Sequence, residues 1–306
     1  MKKAMCTALL ALAGFAVSLS AQDPVALVIR VQGDVMVSHG GGDPAPASIG
    51  EQMFVGDDLA PMDGSRAILI TRTGAQQVVT EQTTMVEPRG AGNPDMFARA
   101  MSTLAQAAST DATTGGRQGM IRPIPGQSSL VSPRNSLLVA DTRPTFEWTA
   151  TSDQTYDLMI REVGAAGRPV IYEVGSDTTF TLPEGDELGF GASYVWTVFV
   201  GGRRGGRPIP EQEFRVMSLE ESVDMQDYLD EIAVFGLDPM GDGLFLSVVA
   251  YRDMGLFYDA ADALDTVERE ASLSAEMYLL KGEILAELGQ EEAARAAFDR
   301  ADELMR

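Results

Sequence analysis

Two stretches near the C-terminal end of this 306-residue chain repeat each other, and their offset constrains the fold more than anything else in the sequence. Gly255 and Gly289 lie 34 residues apart. Each is followed at +5 by an alanine (Ala260, Ala294) and at +9 by a large apolar residue (Leu264, Phe298). Upstream, Leu244 and Tyr251 correspond to Tyr278 and Leu285. Stacked helix–turn–helix units need a fixed period, small residues where paired helices cross, and a glycine where the chain reverses. Just before them, residues 219–235 read as another helix, with Met225, Leu229, Ile232 and Ala233 on one face and Gly236 and Pro239 closing it. That helix supplies the extra layer that so short an array wants.

These residues resemble the tetratricopeptide pattern. Gly282, seven residues before Gly289, falls on a small position of that motif, where Val248 stands in the first unit. The resemblance covers two repeats within a helical segment, 218–306, and implies an array that holds protein partners and does no chemistry. In such arrays the first helix of each pair lines a concave groove, here Glu276 to Leu288 in the second unit. Tyr251, a large amphipathic residue, and Lys281, the one cation on an otherwise acidic stretch, are the candidate partner-binding residues. Two alternatives stay open: Tyr251 packs between helices, or the short array is completed by a second copy of the chain.

The other end of the chain bears on location. Lys2 and Lys3 precede an apolar run from Ala4 to Val17 and small residues at Ser18, Ser20 and Ala21. This order reads as a secretory signal peptide over 1–21, with an uncleaved anchor helix as the alternative. Cleavage after Ser20 leaves serines at −1 and −3, whereas cleavage after Ala21 leaves Leu19 at −3. Removal takes away Cys6, the sole cysteine, and with it any disulfide, thiolate metal site or cysteine nucleophile. The expectation is a periplasmic or secreted protein of a bacterial envelope whose domains rely on apolar cores. The formal charge is −22, and from Ser218 onward 22 acidic residues face 6 basic ones. Nucleic acid and anionic membrane surfaces are therefore poor partners.

Between these ends lie two β units. Residues 25–87 carry short apolar strands separated by glycine turns. Gly33 with Val35, Gly50 with Gly56, Asp57 and Leu59, Ser65 with Ala67 and Leu69, then Gly74 and a closing strand at Val86, resemble the FecR domain over 22–90. FecR regulators carry a cytoplasmic region and a membrane helix before that domain; neither is present in this sequence, so anti-sigma signalling is not carried over. Asn93-Pro94-Asp95 then starts a helix with Met96, Phe97, Ala100, Met101, Leu104, Ala105 and Ala108 at helical spacing, expected to pack on a neighbouring domain. A Gly/Thr/Ser/Pro-rich linker follows, making 91–130 a helix plus linker. Residues 131–217 alternate as the strands of a β-sandwich and resemble fibronectin type III and immunoglobulin-like domains. Trp148 and Trp196 are expected in its core, and Leu188 stands six residues before Tyr194, the spacing of a tyrosine corner. The Gly201–Pro208 stretch reads as a hairpin turn whose three arginines are an alternative grip for an acidic partner.

The fold class expected is thus multidomain: a small all-β FecR-like domain, a β-sandwich and a C-terminal helical repeat domain. No catalytic, metal or cofactor-binding residue stands out. His39, the only histidine, sits among glycines and is expected to be exposed, with no triad, metal cage or oriented base. No glycine cluster is followed by the helix and lysine of a phosphate loop. The acids are too scattered to single out a pair. The expected function is a non-enzymatic, exported scaffold or assembly and sensory module that binds envelope proteins. The alternative is a cell-wall or glycan-binding module with the FecR-like domain as reader.

Overall fold

The computed structural model describes residues 23–90, 92–109, 129–133, 137–149, 154–202 and 206–306. The signal-peptide reading, most of the linker after Ser109, and Arg203 and Arg204 lie outside them.

The first β unit contains β1 (Ala26–Gln32), β2 (Val35–Ser38), β3 (Ala45–Pro46), β4 (Gln52–Met53), β5 (Asp58–Pro61), β6 (Arg66–Thr71), β7 (Gln76–Val79) and β8 (Thr83–Thr84). They form two antiparallel sheets, ordered β4-β1-β6-β7 and β3-β2-β5-β8. β1 and β2 therefore do not form a hairpin; the turn at Gly33 carries the chain from one sheet to the other. Gly33 has φ +75°, and an added Cβ would crowd Ser65 Cβ at 3.1 Å, while Ser65 Oγ accepts from the Asp34 amide at 2.9 Å. Ala26–Ile29 and Ala67–Ile70 are buried without alternation. Such runs belong to strands covered on both faces, and the second cover here is helical. Val86 does not close the unit: it lies beyond β8 and is 69% exposed, whereas its neighbour Met85 is buried.

After α1 (Pro94–Ser109) comes the sandwich: β9 (Leu130–Ser132), β10 (Leu137–Val139), β11 (Thr145–Trp148), β12 (Tyr156–Glu162), β13 (Val170–Gly175), β14 (Thr179–Thr181), β15 (Ser193–Val200), β16 (Arg207–Pro208) and β17 (Gln212–Val216). One sheet runs β10-β17-β15-β12-β13 with β16 on β15, and the other β14-β11-β9. Both tryptophans lie in its core. Trp196 stacks edge-on to Phe146 with centroids 5.0 Å apart and donates its indole N–H to the Pro133 carbonyl at 2.5 Å. The Tyr194 hydroxyl accepts from the Gly189 amide at 2.7 Å, tying the chain back on itself one residue past Leu188.

The C-terminal part is helical: α2 (Leu219–Val234), α3 (Leu244–Asp253), α4 (Phe257–Glu270), α5 (Ala275–Glu287) and α6 (Glu291–Leu304). α3 and α5 end in the same way. Gly255 (φ +77°) and Gly289 (φ +68°) follow their C-caps, and the next amides, Leu256 and Gln290, reach back to Tyr251 and Leu285, both at 2.8 Å. These are paired Schellman closures, which turn α3 onto α4 and α5 onto α6. On α2 the inward face is Met225, Tyr228 and Ile232, with Leu229 half-buried; Ala233 points to solvent.

A β-rich part with several antiparallel sheets thus precedes a helical part, and one apolar core joins the two across the sandwich. Side chains of β1, β6, α1, α3, α4 and α5 pack as one continuous cluster, while the sandwich keeps a separate core. Ile49 pairs with the α4–α5 connection through Ile49 N to Ser272 O (2.8 Å) and Ser274 N to Ile49 O (2.9 Å). A side chain at Gly50 would run into Met277 and come within 2.9 Å of Ser274 Oγ.

Candidate interaction groove

The first helices of the two pairs, α3 and α5, bury more side chains than their partners: Leu244–Ala250 of α3 is buried throughout, as are Met277, Leu280 and Ile284 of α5, while Leu285 and Ala286 pack against α6. Their partners α4 and α6 bury one alanine-rich stripe each. α1 packs against both of these first helices, α5 and α3, and also touches β6. Its buried side chains are Met96, Phe97, Ala100, Thr103, Leu104 and Ala107. The sequence periodicity placed Ala105 and Ala108 in that stripe; both are exposed, and Thr103 and Ala107 take the inward positions.

Polar groups pin α1 at its edge. Thr103 donates to Asp253 at 3.0 Å. Arg252 reaches Gln106 of α1 at 3.0 Å and Glu283 of α5 at 2.6 Å, crossing the three helices. Asn93 donates to Glu231. Beside this edge Arg99, Asp224, Asp227, Tyr228, Glu231, Ala250, Asp253 and Met254 line a cavity of about 350 Å³. The Arg99 guanidinium sits 4.3 Å from the centre of the Tyr228 ring, a cation–π contact. Tyr228 is 5% exposed. Burial pushes the Tyr228 phenol up to about 12, with Arg99 opposing and Glu231 and Asp253 adding to the rise.

Tyr251 and Lys281 are not brought together, and both engage α4. Tyr251 is half-buried against the core, and burial, with the Asp259 carboxylate, raises its phenol. Lys281 pairs with Asp265 at 2.8 Å and with Glu268. Burial acts to lower its ammonium, but these two partners leave it raised. The polar residues that do meet α1, Arg252, Asp253 and Tyr228, and Glu283 behind Arg252, were not singled out by the sequence reading. The faint signal for them was Arg99, the only cation on α1.

His39 departs from the expectation of an unoriented side chain. Its Nδ1 lies 2.7 Å from Asp57 and its Nε2 3.0 Å from Glu51. Burial lowers its pKa, but the two carboxylates outweigh that and the pKa is raised. Asp57, the buried aspartate of the Gly-Asp pair, also accepts from the amides of Gly40 (3.0 Å) and Phe54 (2.8 Å). With both ring nitrogens committed to carboxylates, the imidazole ties loops together. Asp242, before α3, holds Gln32 and Arg66 at 3.1 Å each, and Arg30 pairs with Glu270, so charge also spans the β unit and the helices. Among the described residues no group of three or more histidine, cysteine or acidic side chains is placed to hold a metal ion, and no helix is long and apolar enough to cross a membrane.

No protein-family model matches this sequence, and no curated protein matches it either.

Proposed function

We propose that this is an exported, non-enzymatic scaffold of a bacterial envelope, whose tetratricopeptide-like repeats, FecR-like unit and fibronectin- or immunoglobulin-like sandwich bind other envelope proteins. The observation that carries the reading is the pair of helical hairpins with matching Schellman closures, whose first helices both pack against α1. A repeat that buries its apolar face only by stacking has surface to offer a partner. The glycan-reading alternative would need an aromatic platform on the FecR-like unit. Phe54 is the only aromatic residue between 22 and 90, which favours the protein-binding reading.

The test is affinity capture from envelope extract with the mature chain as bait, run beside sedimentation with purified cell wall. A reproducible protein partner, cross-linked to the helical repeats or their edges, is the expected result. Sedimentation with cell wall and no protein captured would overturn it in favour of the glycan reader.

A further inference from the structure

We infer that the groove of α3 and α5, with α2 at its rim, is a receptor for an amphipathic helix bearing a central arginine, and that α1 is its resident ligand, which a partner helix of the same pattern replaces. The inference rests on reading the repeats as a partner-binding array, and names the occupant and its regulation.

Three observations carry it. α1 packs against the first helices of both pairs, α5 and α3, and it belongs neither to the repeat units nor to a sheet. Its grip is modest for a core element: of six buried side chains only Met96, Phe97 and Leu104 are large, the others being two alanines and a threonine. Its rim carries more negative charge than α1 answers with charge: Arg99 is the sole cation lining a cavity that also holds Asp224, Asp227, Glu231 and Asp253. α1 and the residue before it reach Asp253 and Glu231 only through the neutral Thr103 and Asn93, Asp253 pairing also with Arg252. The first turn of α1 further carries Asp95, an acid two residues from Asn93, which contacts Glu231. A helix with the same apolar pattern and more positive charge on that edge would fit the groove better than α1 does. Groove binding is then governed by a competition: the tethered α1 lowers the apparent affinity of any incoming helix by the fraction of molecules in which the groove is free.

The experiment uses the full chain and a fluorescein-labelled synthetic peptide of residues 92–109. Leu104→Ser in the chain weakens α1 in place. The peptide is expected to bind this variant roughly tenfold or more tightly than it binds the unmodified chain, and to raise the variant's unfolding midpoint. Should Leu104→Ser fail to fold, the chain substituted Arg99→Ala weakens α1 at its exposed polar edge without opening a core cavity. A peptide with Arg99→Ala should bind several-fold more weakly than the parent, and more salt should narrow the gap. Equal binding to modified and unmodified chains, absence of binding to both variants, or indifference to Arg99→Ala would each overturn the inference. Those failures leave partner capture through other surfaces intact. Conversely, peptide binding without any envelope partner would sustain the resident-ligand assignment and count against the scaffold reading.

Discussion

Gly282 shows how a single missing side chain can set a helix–helix distance. A Cβ there would lie 2.6 Å from Cδ1 and 2.7 Å from Cζ of Phe298, so α5 and α6 meet as closely as they do because nothing projects between them. Helix propensity alone would make Gly282→Ala stabilising by about 1 kcal/mol. The packing argument gives the opposite sign: overpacking should cost about 1–3 kcal/mol, read as a lower thermal midpoint. Trp148 belongs to the same scale. It is buried beside Tyr156, ring centroids 5.7 Å apart, and Trp148→Ala should cost about 3–5 kcal/mol in the sandwich. His39 adds a pH dependence. Its folded pKa is raised, so the stabilisation is fully present below the ordinary histidine value and is lost as pH rises through the raised one. The stability gap between the parent chain and His39→Gln should therefore shrink on going from about pH 5.5 to about pH 8.5. A gap that widened with rising pH would contradict the two-carboxylate geometry.

At the scale of elements, the joint between sandwich and helices is built from one short motif. Ser218 caps α2 by accepting from the Glu221 amide at 3.2 Å, and Glu221 returns a bond to the Ser218 amide at 2.8 Å. Glu221 is also held by both terminal nitrogens of Arg215 at 2.7 Å, which fixes the angle at which β17 hands over to α2. Arg215, then the Ser218 bonds, depress the Glu221 carboxyl to about 2. A depressed carboxyl stabilises fully above the ordinary glutamate value, and that contribution is lost as pH falls towards about 2. Glu221→Gln should thus flatten the acid limb of the unfolding curve below about pH 4.5. The pair is partly exposed, so its Coulomb share is at most about 1 kcal/mol, and Ser218→Ala should cost about 1 kcal/mol through the lost cap. The Schellman glycines make a matching case: alanine at Gly289, with φ +68°, should cost about 1–2 kcal/mol.

The whole molecule has fewer independent parts than the order of its segments suggests. The first β unit and the helical segment are separated by the sandwich in sequence, but the apolar side chains of the first β unit, α1 and α2 to α5 form one cluster, with α6 and the α5 side facing it in a smaller one. Calorimetry should therefore resolve two transitions: one for the sandwich, and one shared by the first β unit, α1 and the helices. Met277, fully buried and packed at Gly50, reports on this. Met277→Ala should lower the shared transition by about 2–5 kcal/mol and leave the sandwich transition in place. A related outcome is expected for 218–306 expressed alone. Without α1 and the first sheet it exposes the inward faces of α3 and α5, so it should self-associate or stay partly unfolded, as sedimentation and circular dichroism would show.

Local rules made much of this legible in the residues. The 34-residue offset located two helix pairs and their glycine turns, because a left-handed backbone at a helix end is a demand that one residue type meets at low cost. Alternation around Trp148, Tyr156 and Trp196 marked the sandwich strands for the same reason: a pleat of period two must be answered by side chains one at a time. What the tertiary structure decided was which faces meet. The unbroken apolar runs Ala26–Ile29 and Ala67–Ile70 hinted that their sheet is covered twice, but nothing local says that the second cover is α1 and α3, more distant in sequence than any turn. Lys281 stood out as a lone cation and proved to be held by Asp265 and Glu268, whereas Tyr228 and Arg252 find their partners Arg99 and Gln106 on α1, and Arg252 also spans to Glu283 of α5. Periodicity is written within an element, where neighbours in sequence are neighbours in space. The pairing of elements depends on burial summed over the whole core, which no single stretch of the chain encodes.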